Sequence, residues 1–129
     1  MSYDTSLSLP QCEHCGHQAT FIDLGNITSN VGTMYYLALP GPYPGGGRYD
    51  GTGDPEWGRG GLPGLSGLTA ETALPHLRQG IVAMESEPET YKALAPANGW
   101  GDYAGALIYL HKIRAACIQY PKATLCVNW

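Results

Sequence analysis

Between Gly41 and Gly67 the chain reads GPYPGGGRYDGTGDPEWGRGGLPGLSG, with 11 Gly and 4 Pro in 27 residues. A stretch of this kind resists helix and strand alike, because glycine gives up much backbone entropy on ordering and proline removes a donor. The 102 residues outside it are therefore expected to build the fold, as one domain spanning 1–129 with a Gly/Pro-rich insert at 41–67. Long structureless loops within compact domains are usually functional or disordered. This one carries Tyr43, Arg48, Tyr49, Trp57 and Arg59, which could anchor it to the body or to a partner, so pinned and mobile loops both stay open. Excising Pro44 to Gly64 is expected to leave the helices standing, since shortening a loop removes closure entropy.

Three segments read as strands. SYDTSLSL alternates, with Tyr3, Thr5, Leu7 and Leu9 on one side and Ser2, Asp4, Ser6 and Ser8 on the other. ATFIDL follows the turn from Cys12 to His17 and completes a hairpin. Near the other end, ATLCVNW sets Leu125 and Val127 against Cys126 and Asn128. Three helices are predicted between them. VGTMYYLAL is apolar nearly all round and too short to stand alone, so its neighbours must bury it. The second starts at Thr69 as N-cap and runs to about Ser86, with Leu74, Leu77, Ile81 and Met84 on one stripe and Pro75 and Gly80 weakening it. A short turn of helix over SEPETYKAL follows. The third, from Asp102 to about Tyr120, gathers Tyr103, Ala106, Leu107, Leu110, Ile113, Cys117 and Tyr120, with His111, Lys112, Ala115 and Gln119 opposite. The expected fold is α+β: a small antiparallel sheet, made of an N-terminal hairpin and a C-terminal strand, packed with three helices and the long loop.

Charge narrows the function. Seven Lys and Arg against 11 Asp and Glu give a net charge of −4, which argues against nucleic-acid binding through a basic patch. No apolar run is long enough to span a membrane, and the polar opening MSYDTSLSLP does not look like a secretory leader. A cytoplasmic location with reduced cysteines is expected.

Cys12-Glu13-His14-Cys15-Gly16-His17 is the sharpest chemical motif. Two thiolates separated by two residues on a tight turn can take adjacent corners of a tetrahedral zinc site. His17 is the natural third ligand, and Cys126 or His14 the fourth. A second Cys-x-x-Cys is missing, so the motif is half of a zinc ribbon, and a metal-free turn or a redox pair are the alternatives. The redox reading suffers because the motif runs on into a strand rather than a helix N-terminus. Cys117, on an apolar stripe, reads as a core thiol.

Two polar turns precede helices. Asn26-Ile27-Thr28-Ser29-Asn30 can cap the first helix or cradle a polar or anionic ligand with its amides and backbone N–H groups. Ala97-Asn98-Gly99-Trp100-Gly101-Asp102-Tyr103 has the same form, with Asp102 as N-cap and Trp100 as a lid on the core or a wall of a pocket. If the two helices run side by side, Asn26, Asn30 and Trp100 face one cleft. Support for catalysis is thin: His76 and His111 read as solvent-exposed residues on polar helix faces, and no serine elbow, phosphate loop or HExxH motif occurs.

MSYD, NITSNVGTMYYLAL, TAETALPHLRQGIVAM and NGWGDYAGALIYL together resemble a family of small bacterial and phage proteins for which no activity is established. The positions carrying the resemblance are Asn26, Thr28, Asn30, Asn98, Gly99, Trp100, Gly101 and Tyr103, and the insert departs from it. The resemblance implies a context, in a bacterial or phage-infected host cytoplasm, and no mechanism. The preferred expectation is a non-catalytic binding or accessory protein for a small polar ligand or a protein partner. Its ligand-binding residues are Asn26, Thr28, Asn30, Asn98, Trp100 and Tyr103, with zinc as a structural cofactor on Cys12, Cys15, His17 and Cys126. A structural or assembly protein docking through Tyr43, Tyr49 and Trp57 is the alternative, and a small metal-dependent hydrolase the third.

Overall fold

The computed structural model describes residues 2–9, 21–47 and 60–128. Strand β1 (Ser2–Ser8) is central in a three-stranded antiparallel sheet, flanked by β2 (Phe21–Thr28) and β3 (Thr124–Asn128). On β1 the expected alternation holds: Tyr3, Thr5 and Leu7 are buried while Asp4 faces solvent. On β3, Leu125 and Val127 are likewise buried and Asn128 exposed, so both strands give one face to the core.

Strand β2 departs from the expected pattern. It runs through Asn26-Ile27-Thr28, which the sequence assigns to a turn, and it carries a bulge: Asp4 pairs with Asn26 but Ser6 with Asp23. The extra residue falls at Leu24 and Gly25, where Gly25 has φ 83° and the Asp23 carboxylate accepts its N–H at 2.8 Å. A bulge shifts the side-chain phase by one residue. Ile22 and Leu24 therefore face inward, Asn26 outward opposite Asp4, and Ile27 inward opposite Tyr3. The Tyr109 hydroxyl fixes the bulge by donating to the Gly25 carbonyl at 2.9 Å.

The free edge of β3 is covered by the chain between Ser66 and Ala70. Leu125 N–H donates to the Leu68 carbonyl at 2.8 Å, Gly67 N–H to the Leu125 carbonyl at 2.7 Å, and Val127 N–H to the buried Ser66 hydroxyl at 3.0 Å. Pairing an edge strand in this way removes a row of unmet backbone groups.

Among the described residues five helices pack on one face of the sheet or beside it: α1 (Gly32–Ala38), α2 (Gly61–Gly64), α3 (Ala70–Ser86), α4 (Pro88–Lys92) and α5 (Tyr103–Gln119). The caps of α3 and α5 are the expected ones, with the Thr69 side chain accepting from Thr72 N–H and the Asp102 side chain from Gly105 N–H. Helix α4 matches the short turn expected after α3. Helix α1 is not buried all round: Val31, Met34, Tyr35, Ala38 and Leu39 are buried, whereas Tyr36 and Leu37 are about half exposed. Leu39 lies over Gly80 of α3, where a Cβ would come within 2.7 Å of its Cδ2, so the glycine that weakens α3 is what lets α1 approach it.

The insert is the largest correction. Its last part is not a loop around the fold but part of the core: α2 forms within it, and Leu62 and Leu65 are fully buried with Leu68 behind them. Composition hid this because apolar residues spaced among glycines and Pro63 show neither helical nor strand periodicity. At its near end Tyr43 packs on His76, ring centroids 4.2 Å apart, so the described part of the insert is pinned. The same contact leaves His76 half-buried rather than exposed on a polar face.

Candidate functional site at the joint of two helix entrances

The polar segments preceding α1 and α5 lie about 70 residues apart in sequence. Gly101 joins them. With φ 105° it occupies a conformation that side-chain-bearing residues rarely adopt, and a Cβ there would come within 2.7 Å of Val31 Cγ1 and 2.8 Å of Thr28 Cγ2. The end of β2 and the last residue of the 3-10 turn Ser29–Val31 thus rest directly on the backbone that enters α5. A few residues on, the buried Tyr35 hydroxyl donates to the Ala106 carbonyl at 2.8 Å. The two contacts follow one another in the same order along both helices, so α1 and α5 start together.

Within this joint the polar side chains are mostly used for local turns. Thr28 Oγ1 accepts from the Asn30 backbone N–H at 3.3 Å and from its side-chain amide at 2.9 Å. Asn98 Oδ1 accepts from Trp100 N–H at 2.9 Å, and Asp102 Oδ1 from Gly105 N–H at 2.7 Å. These are Asx and Ser/Thr turns, the structural role that Asn, Asp and Thr fill before helices. Asn30 and Asn98 remain solvent-exposed. Trp100 is 69% exposed, so it does not act as a lid on the core. Asn26 stands apart from the other candidates, on the solvent face of the sheet opposite Asp4.

Beside the start of α5 an open pocket of about 270 Å³ is lined by Lys92, Ala95, Asp102, Tyr103 and Ala104. Tyr103 forms its firmest wall. Its hydroxyl donates to the Met84 carbonyl at 2.7 Å, and the Lys92 amine lies 5.6 Å from its ring centroid. Lys92 also pairs with Glu89 at 3.5 Å, a surface contact of small energetic weight. The residues the sequence did not single out here are Ala104, on the first turn of α5, and Lys92 and Ala95, which reach the pocket from α4 and the turn after it. Only the packing of α4 beside α5 brings the last two in.

Cys12, Cys15 and His17, with His14, lie outside the described residues, as do Tyr49 and Trp57. Cys126 is described: it pairs with Ser6 on the solvent side of the sheet, its thiol directed to the Thr124 carbonyl at 3.9 Å. It is thus on a strand next to the N-terminal hairpin, the placement expected of it as one of the two candidates for a fourth ligand. Cys117 is fully buried, and burial pushes its thiol up to about 11. His111 is partly exposed and contacts Glu85 at 3.4 Å. Among the described residues no helix is long and apolar enough to cross a membrane.

No family model matches the chain. No curated protein and no solved structure matches it either.

Proposed function

We propose that the chain is a non-catalytic binding protein whose ligand seat is the start of α5, taking a small planar molecule with a polar or anionic group. The observation that carries this reading is the pocket of about 270 Å³ walled by Tyr103 and rimmed by Lys92. An aromatic wall with one cation suits a flat ligand bearing an acid, with the ring supplying contact area and the ammonium orienting the charge, while the Asp102 carboxylate in the same lining is engaged by the Gly105 N–H. The exposed Trp100 and the entrance held by Gly101 next to Thr28 extend that surface. A zinc ion on Cys12, Cys15 and His17, with Cys126 or His14 as fourth ligand, would have a structural part in the hairpin turn and none in binding. The bacterial or phage context of the resembling family fits an accessory protein of this size.

The test is an amide-resolved NMR titration of the full chain with benzoate and nicotinate. Shifts centred on residues 92–95 and 100–104, lost in Lys92→Ala, support the reading. Shifts elsewhere, or none at millimolar ligand, overturn it. A native mass spectrum of protein purified from its host would identify any ligand carried through.

A further inference from the structure

Helix α5 is apolar on two opposite sides. One side, Ala106, Leu110, Ile113 and Cys117, is buried in the core. The other consists of Ala104, Ile108, His111, Ala115 and Ile118, all exposed, Ile108 by 67% and Ile118 by 49%. Their spacing is 4, 3, 4 and 3 residues, which keeps five side chains on one line along the helix and is the spacing of helix pairs that cross at about 20°. A solvated helix face is normally polar; a sustained second stripe calls for a partner.

We propose that this stripe is a homodimer seam, occupied by α5 of a second copy packed antiparallel about a two-fold axis at His111. The sequence is self-complementary in size under that operation. Ile108 meets Ala115 of the second copy, Ala104 meets Ile118, and His111 meets its own equivalent, so each isoleucine faces an alanine on either side of the central histidine pair. Charge agrees. The carboxylate of Glu85, on α3, lies 3.4 Å from His111 at the centre of the seam. Arg114 is on the same flank, in line with Tyr103, which bonds to Met84 of α3. The two-fold axis carries Arg114 of each copy across to Glu85 of the other. Lys112 is on the far flank, its amine beside Gly25 and away from the seam. Val82, 62% exposed and one turn before Glu85, widens the patch on the side of α3.

Size sets the strength. At the rise and width of an α-helix the stripe from Ala104 to Ile118 measures about 21 Å by about 10 Å, on the order of 200 Å² per partner, well short of the roughly 800 Å² that stable complexes bury. The dimer is therefore weak, forming in the high-micromolar range. This seam is separate from the ligand reading and meets the pocket only at Ala104.

The test is sedimentation velocity of the full chain from 5 to 500 μM in reducing buffer. The wild type shifts from monomer to dimer with concentration, and Ile108→Asp stays monomeric with unchanged circular dichroism. Ile108→Ala and Ala115→Ile each weaken association at least tenfold, the first by leaving a gap and the second by a clash. The double variant restores it, because the large and small partners have exchanged places. A wild type that stays monomeric at 500 μM, association that persists in Ile108→Asp, or a double variant no better than its parents overturns the proposal.

Discussion

The Tyr35 hydroxyl donates to the Ala106 carbonyl across a sequence separation of 71, inside the core and at 2.8 Å. Ala106 is in the interior of α5, where its carbonyl is positioned to accept the ladder bond as well, so the phenol is the more dependent partner. Burial raises the Tyr35 pKa strongly, with Tyr109 and Tyr3 adding to the rise, so the group stays neutral and remains a donor. Tyr35→Phe keeps the ring packing and removes this bond between α1 and α5. The expected cost is about 1 kcal/mol, the usual net worth of such a bond, measured by urea unfolding with an unchanged slope.

Gly101→Ala should cost considerably more than Gly99→Ala. Both glycines have positive φ, at 105° and 74°, so both substitutions carry backbone strain of about 1 kcal/mol or more. Only at Gly101 would the new methyl strike Thr28 and Val31; at Gly99 it meets nothing within 4 Å. The difference between the two variants, read by denaturant midpoint, isolates the contact between the helix entrances. Equal losses would mean that the joint contributes nothing beyond backbone conformation.

The insert now predicts the reverse of what its composition suggests. Leu62 is fully buried and all of α2 is buried with it, so excision from Pro44 to Gly64 removes core and should unfold the chain rather than leave its helices intact. Leu62→Ala is expected to cost 2–5 kcal/mol, roughly the range for a buried leucine. Helical signal retained at 25 °C in the excised protein would show that the remaining core suffices.

What could be read in the sequence was local. Thr69 and Asp102 announce their helices because a cap needs only a short side chain three residues ahead of an N–H, and Tyr3, Leu7, Leu125 and Val127 announce their sheet face by alternation. The bulge at Gly25 was missed because one added residue shifts the phase of Ile27 without leaving a pattern longer than the strand. Ile108 and Ile118 escaped notice on a helix already assigned one apolar face. The joint at Gly101 was legible only as a possibility, two polar turns before two helices, since no local rule sets the direction in which remote helices pack. Lys92 joins the pocket by a tertiary contact alone.

One zinc ion per chain is expected by metal analysis of protein prepared without chelator, and Cys12→Ser should lose it. The hairpin turn would then loosen while α3 and α5 keep their circular dichroism, because Leu77, Ile81, Leu110 and Ile113 hold those helices through the core. Including Cys126→Ser separates the two candidates for the fourth ligand: loss of affinity favours Cys126, retention favours His14. Protein free of metal under these conditions would remove the zinc reading.

Stability should fall steeply on the alkaline side. Cys117 is raised from 9.0 to about 11 by burial alone, and Tyr3, Tyr43, Tyr91 and Tyr109 are all raised from 10.0, burial being the largest cause in each. A group whose folded pKa lies above its unfolded value keeps its proton longer in the native chain, so the native state binds more protons and stability declines as pH rises. For Cys117 the contribution is complete below about pH 9 and is lost between pH 9 and about 11, on the order of 1–3 kcal/mol in all. The tyrosines extend the decline beyond pH 10. Urea midpoints of the wild type and Cys117→Ala at pH 8, 9, 10 and 11 test this directly. Below pH 9 the variant is weaker by the lost packing of one sulfur, and between 9 and 11 the two curves converge, because only the wild type loses the thiol contribution. Parallel curves over that interval would show that Cys117 ionises without opposing the fold, and that the tyrosines alone set the alkaline limit.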